Sequence, residues 1–162
     1  MTKTHSKILS LLALLLVIAT VTACKKKDDP NSPAGCSGPA QMTLTGAVNG
    51  DYCLKEVTQY KYNDRLEISI VTSNGAESQM LFISIDGQNG QPPLTGSFLC
   101  GGDNPGFVQA GFHGANEEFF NATSGSVTVS QISANNFKAS FSVSAKGYYD
   151  GQVVTLTGTV NY

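Results

Sequence analysis

The chain has 162 residues, with ten Lys and Arg against twelve Asp and Glu, and it contains no Trp. From Gln41 onward the balance is five basic to ten acidic residues. That is the wrong sign for a surface that displaces phosphate counterions, so nucleic acid is excluded as a partner. This length predicts one domain, and a charged fraction of 14% with abundant Ser, Thr, Asn, Gln and Gly is the composition of an exported β-protein.

Lys3 and Lys7 precede Ile8–Ile18, which is Leu, Ile, Val and Ala apart from Ser10. A basic start followed by a short apolar run reads as a secretory leader. From Ile8 to Ala23 there are 16 residues, against the roughly 20 needed to span a bilayer, so a membrane anchor is the weaker reading. The run closes on Val21-Thr22-Ala23-Cys24, a small residue directly before a cysteine. This segment resembles the lipobox of bacterial lipoproteins. The resemblance implies that residues 1–23 are removed as a signal peptide and that Cys24 takes a lipid, palmitate included, which makes the membrane its first partner. The following Lys25, Lys26, Lys27, Asp28 and Asp29 resemble the charged run that directs one class of such proteins to the outer membrane. That implies an outer-membrane location, surface-exposed or, as the alternative, facing the periplasm; the plain reading is a solvated charge run. Residues 24–40 carry Pro30, Pro33, Pro39, Gly35 and Gly38 without an apolar period. They are expected to be a flexible tether reaching roughly 20 to 24 Å.

Residues 41–162 are expected to form a single all-β domain. Met42 and Leu44 alternate with Thr, and Asn49-Gly50-Asp51 is a turn into a strand over Tyr52–Val57. Leu66, Ile68 and Ile70 share one face of Arg65–Thr72, and Ser73-Asn74-Gly75 turns the chain. In Gln79–Ile85 the positions Leu81, Ile83 and Ile85 are in phase, while Met80 and Phe82 make the opposite face apolar too, as for a strand covered on both sides. Short strands are then predicted over Leu94–Leu99, Phe107–Phe112, Phe119–Thr123 and Val127–Ile132, with loops at 86–93 and 101–106. Phe137, Ala139, Phe141, Val143 and Ala145 alternate with Lys and Ser, Asp150-Gly151 turns, and Val154, Leu156, Gly158 and Val160 alternate with Thr. About eight or nine short strands of this kind predict a mostly antiparallel β-sandwich or a partly open β-barrel. A transmembrane barrel is disfavoured by the short strands and the many turn residues.

Asn49-Gly50 with Tyr52, the pair Leu66-x-Ile68-x-Ile70 and Leu81-x-Ile83-x-Ile85, Gly96-Ser97-Phe98, and Phe137–Phe141 leading to Thr155-x-Thr157-Gly158 resemble, in that order, an uncharacterised family of small all-β lipoproteins. The chain departs from that pattern with Tyr52 in place of Trp and Val160 in place of Phe. The resemblance implies fold and location and no activity.

Lipidation of Cys24 leaves three cysteines, hence one pair and one spare thiol. Cys53 with Cys100 is the expected disulfide, and Cys36 with either is open. His113 is the one histidine beyond the leader, and as a lone strand-end residue it lacks a visible partner for base chemistry. One His with scattered Cys has no zinc spacing, so no metal is expected. Glu117 and Glu118, or Asp103, would be needed for paired-carboxylate chemistry, but adjacent strand residues point to opposite faces. Asp86-Gly87-Gln88-Asn89-Gly90 lacks the acidic ligands of a calcium loop, and Asn121-Ala122-Thr123 is a bare sequon. The residues therefore predict a non-enzymatic, membrane-anchored binding or scaffolding protein of the cell envelope, without a cofactor, whose partner is an envelope protein or a glycan. Alternatives are a module for a glycan or small apolar ligand, and an inhibitor of a secreted hydrolase. Tyr60, Tyr62, Tyr148 and Tyr149 are the candidate ligand contacts, with the interior of an open barrel as the other place for a ligand.

Overall fold

The computed structural model describes residues 36–74, 76–114 and 117–162. The leader, the lipobox and Lys25–Asp29 lie outside the described residues. Ten strands follow: β1 (Ala40–Gly46), β2 (Gly50–Leu54), β3 (Glu56–Tyr62), β4 (Arg65–Asn74), β5 (Glu77–Asp86), β6 (Gly96–Leu99), β7 (Gly106–His113), β8 (Glu118–Ser133), β9 (Asn136–Gly147) and β10 (Val153–Asn161). All ladders between them are antiparallel. They make one sheet in the order β2-β1-β10-β9-β8-β7-β5-β4-β3, with β6 also paired to β8.

The two strands that end this path, β2 and β3, are consecutive in the chain and separated only by Lys55. One continuous segment thus pairs with β1 through its first half and with β4 through its second. Lys55 N–H donates to Val71 O (3.1 Å) and to Thr72 Oγ1 (2.9 Å), while Thr72 Oγ1–H donates to Cys53 O (3.0 Å). The sheet is therefore curled into a nearly closed barrel, which protects the edges that an open sheet would expose. Of the two expected architectures the barrel is the one found, and among the described residues there is no second packed sheet.

The alternation seen in the sequence decides the inside. Leu66, Ile68 and Ile70 of β4, Leu81, Ile83 and Ile85 of β5, and Met42, Leu44, Phe120, Phe137 and Leu156 are among a single cluster of buried side chains. Each such residue contributes about 1.5 to 3 kcal/mol on leaving water. Outward positions of β9 are exposed Lys138, Ser140, Ser142 and Lys146. An apolar inside and a Ser, Thr and Lys outside is the reverse of a barrel that lies in lipid. At one end Tyr52 packs edge-on to Phe112 with centroids 4.9 Å apart, and Phe112 to Phe120 at 6.2 Å, closing the interior. The strand ends at Gly46 and Gly50, Asn74 and Glu77, His113 and Glu118, and Gly147 and Val153 gather at this end. The opposite end holds the 62–65 and 133–136 hairpins, the loop 86–96, the arriving chain at Cys36–Pro39 and the final Tyr162.

Three local expectations need correction. Phe119–Thr123 and Val127–Ile132 are one long strand, β8, because register shifts at Ala122/Ser124 and Val129/Gln131 absorb the Ser124-Gly125-Ser126 stretch without ending the ladder to β9. Tyr60 and Tyr62, beyond the strand predicted over Tyr52–Val57, lie on β3 because the strand beginning at Gly50 resumes after Lys55. Cys53 pairs with Cys36, not with Cys100. The pleat gives the reason: Cys53 stands opposite Gln41 on the outer face of β2, whereas Cys100, 3% exposed, points into the core. Cys100 keeps a free thiol, and the 36–53 link closes a loop worth about 3 kcal/mol by the chain-entropy estimate.

Gly125 has φ +105°, and a Cβ there would sit 2.3 Å from Ser142 O. Gly125→Ala is expected to cost about 2 kcal/mol or more in a urea melt. Burial pushes the Cys100 thiol up, against a weaker downward pull from its hydrogen bond with the Val127 backbone. The folded state then holds a proton that the unfolded chain has released. Stability is full below about pH 8.5 and declines as pH rises from there through the folded value. Melting curves across this range should flatten in Cys100→Ala. Tyr60, raised by burial first and then by Tyr62 and Tyr162, adds a slope of the same sign only above about pH 10.

Candidate functional site

The β9–β10 hairpin is built from its own backbone. Gly147 N–H donates to Gln152 O (2.8 Å), Gly151 N–H to Gly147 O (3.2 Å), and Gln152 N–H to Asp150 Oδ1 (2.9 Å). These bonds hold Tyr148 and Tyr149 at the turn, where they are 71% and 62% exposed. Exposed aromatic rings of this kind are what a solvated turn avoids unless something else uses them.

The turn does not stand alone. Tyr148 N–H donates to Phe119 O (2.8 Å), and Tyr149 N–H donates to Glu118 Oε1 (3.1 Å), the same oxygen that accepts from Phe119 N–H (3.1 Å). One carboxylate thus ties the hairpin to the start of β8 with two charge-assisted bonds. Around it the rings form a chain: Tyr148 and Tyr149 at 5.1 Å, Tyr149 and Phe119 at 6.3 Å, Phe119 and His113 at 5.0 Å. His113 Nδ1 lies 3.2 Å from Glu117 Oε1, with both side chains about half exposed, a surface contact worth little to stability.

The candidates within the described residues now have positions. Tyr148 and Tyr149 come together with His113, Glu117 and Glu118 at the end of the barrel away from the arriving chain. Tyr60 and Tyr62 are at the other end. The Tyr60 hydroxyl donates to Ser133 O and its ring packs on Tyr162 at 5.3 Å, so it seals the seam between β3 and the C-terminus. Among the described residues the polar partner of His113 is Glu117, and no Ser, Thr or Cys is bonded to it. Glu117 and Glu118 do point apart, the first to His113 and the second to backbone amides. Asp86 is engaged by Arg65, and Gln88–Gln91 is a turn with Gln91 N–H donating to Gln88 O (3.0 Å). Among the described residues no three His, Cys, Asp or Glu side chains are grouped to hold a metal ion. Cys24 and Lys25–Asp29 lie outside the described residues.

Two features were not singled out in the sequence. Phe119 as the centre of the ring chain had no signal beyond its strand position, because its neighbours come from another hairpin. The outer-face pair of Phe82 and Phe107, with centroids 6.2 Å apart, had one: Met80 and Phe82 break the polar side of β5. Those residues are half-buried, and among the described residues no second sheet lies over them.

Removing the carboxylate in Glu118→Ala should release the hairpin. Amide exchange at Tyr149 is expected to speed up by about tenfold, as for a lost hydrogen bond to a charged group of about 1.5 kcal/mol, while exchange in β4 and β5 stays as in the parent protein. The chain matches no protein-family model, no curated protein and no solved structure.

Proposed function

We propose that this chain is a lipid-anchored, non-enzymatic protein of the outer membrane that binds or scaffolds another envelope component through the outer surface of its barrel. In this reading residues 1–23 are removed, Cys24 carries the acyl chains, and the expected tether of residues 24–40 is shortened, because Cys36 is bonded to β2 and Ala40 is already in β1. The observation that carries the binding role is the ring chain of His113, Phe119, Tyr149 and Tyr148, held in place by Glu118. Exposed aromatics fixed before contact lose little entropy on binding, which is how a few residues come to supply most of an interface's energy.

Position supports the same reading. The rings lie at the end of the barrel opposite the arriving chain, roughly 36 Å away along β9 by strand rise. Attachment at the near end leaves the rings clear of the point where the chain enters the barrel. The interior is occupied by side chains such as Met42, Phe120, Phe137 and Leu156, each no more than 1% exposed, which favours an outer-surface partner over a small apolar ligand inside.

Two measurements test this. Radiolabelled palmitate is expected to enter the wild-type protein and not Cys24→Ala; equal labelling of both refutes the anchor. A photo-crosslinking residue at position 150 in intact cells is expected to give one discrete adduct. Tyr148→Ser with Tyr149→Ser should abolish that adduct while shifting stability by no more than about 0.5 kcal/mol per site. An adduct that survives the double substitution refutes the role of the rings.

A further inference from the structure

The wall of the barrel carries a second surface, about 20 Å from the ring chain along β7 by strand rise. Register places Arg65 opposite Asp86, Glu67 opposite Ser84, and Ser84 opposite Phe107. These positions alternate with the inward Leu66, Ile85 and Val108, so their side chains share the outer face of β4, β5 and β7. Two depressions meet there. One of about 560 Å³ extends toward Lys61 and Asn63, and one of about 290 Å³ runs over Phe82 and Phe107; Arg65, Glu67 and Asp86 line both.

Lys61 and Arg65 stand among three carboxylates, Asp64, Glu67 and Asp86. Arg65 Nε donates to Asp86 Oδ1, and its Nη1 stands 3.9 Å from Glu67 Oε1. Glu67 Oε2 is 3.4 Å from Lys61 Nζ and accepts from Gln59 Nε2 at 3.2 Å. The balance is slightly negative, so the groove does not draw in an anion, and the half-exposed Arg65–Asp86 pair yields at little cost. Donors and acceptors side by side suit a ligand whose groups both donate and accept. It can use the free donors of Arg65 and the free lone pairs of Asp86 together. Beside this hydrogen-bonding strip lie the two half-buried phenyl rings, where the equivalent outward positions of β9 carry Ser and Lys.

We infer that this groove binds a neutral oligosaccharide, with Phe82 and Phe107 under the apolar face of a sugar ring and Arg65, Glu67 and Asp86 bonding its hydroxyls. The volume is that of ordinary small-ligand sites, and a strip of aromatic surface with a few placed polar groups is their usual lining. The inference rests on the reading that the outer surface does the binding, but not on the lipid anchor or on the ring chain.

The test is an amide-shift titration of the full-length protein with cellohexaose, maltohexaose, laminarihexaose and mannohexaose, and with a sulfated heparin hexasaccharide. At least one neutral hexasaccharide is expected to give saturable shifts at Arg65, Ser84, Asp86 and Phe107. Phe107→Ala and Arg65→Ala should each weaken that binding by about tenfold. Arg65→Gln, at a solvent-exposed side chain, repeats the measurement should the Phe107 variant melt early. Shifts with the sulfated sugar alone, shifts confined to Phe119 and Tyr149, or no shifts with any of the four neutral sugars overturn the inference. The last two outcomes leave the crosslink from position 150 to stand or fall separately.

Discussion

The barrel depends on one covalent fact: the two strands at the ends of the sheet are halves of a single segment, Gly50–Tyr62. A sheet with one strongly apolar face has to bury that face, and in a chain without a described helix the sheet can only be covered by itself. Passing the chain from β2 directly into β3 makes the closing strand belong to both edges. The hydrogen bonds from Lys55 to Val71 and Thr72, and from Thr72 to Cys53, then need only align what the backbone has already joined. Closure also fixes the two ends as distinct places, one with Tyr52 and Phe112 over the interior, the other with Tyr60 and Tyr162 across the seam.

What could be read from the residues followed from parity. In β4, β5, β9 and β10 every second side chain is apolar, and a period of two survives translation into three dimensions because neighbouring strands repeat it in register. Where a pattern depends on partners from elsewhere, it could not be read locally. The Ser124-Gly125-Ser126 stretch looks like a turn, and only the β9 ladder holds it in a strand. Cysteine pairing depended on which side of the wall each sulfur faces, and the single residue between Leu99 and the following loop carried too little pattern to place Cys100 inside. The identity of the outer surface was legible in part: an apolar Met80 and Phe82 opposite the core was a true signal, of a half-buried aromatic strip over which no second sheet lies among the described residues.

The two outer surfaces have different physical characters. At the hairpin end, rings project and a carboxylate immobilises the backbone beneath them; on the wall, rings are flush and the charges nearly cancel. The first suits a flat partner that covers protruding side chains, the second a ligand that lies along a shallow track. Both sit on regular strands or on a hairpin tied to one, so their geometry is set by the sheet and is not adjustable loop by loop.

The Cys36–Cys53 link has a mechanical consequence. A pull applied on the N-terminal side of Cys36 bypasses residues 37–40, because the load crosses the sulfur bridge into β2 just before Lys55. Without the bridge, tension would reach Ala40 first and lift β1 from its neighbours one rung at a time, like a zipper opened from its end. With it, tension arrives partway along a strand that is also β3, and the bonds on both flanking ladders have to yield together. A pull from that side thereby loads the seam of the barrel and not the free end of β1.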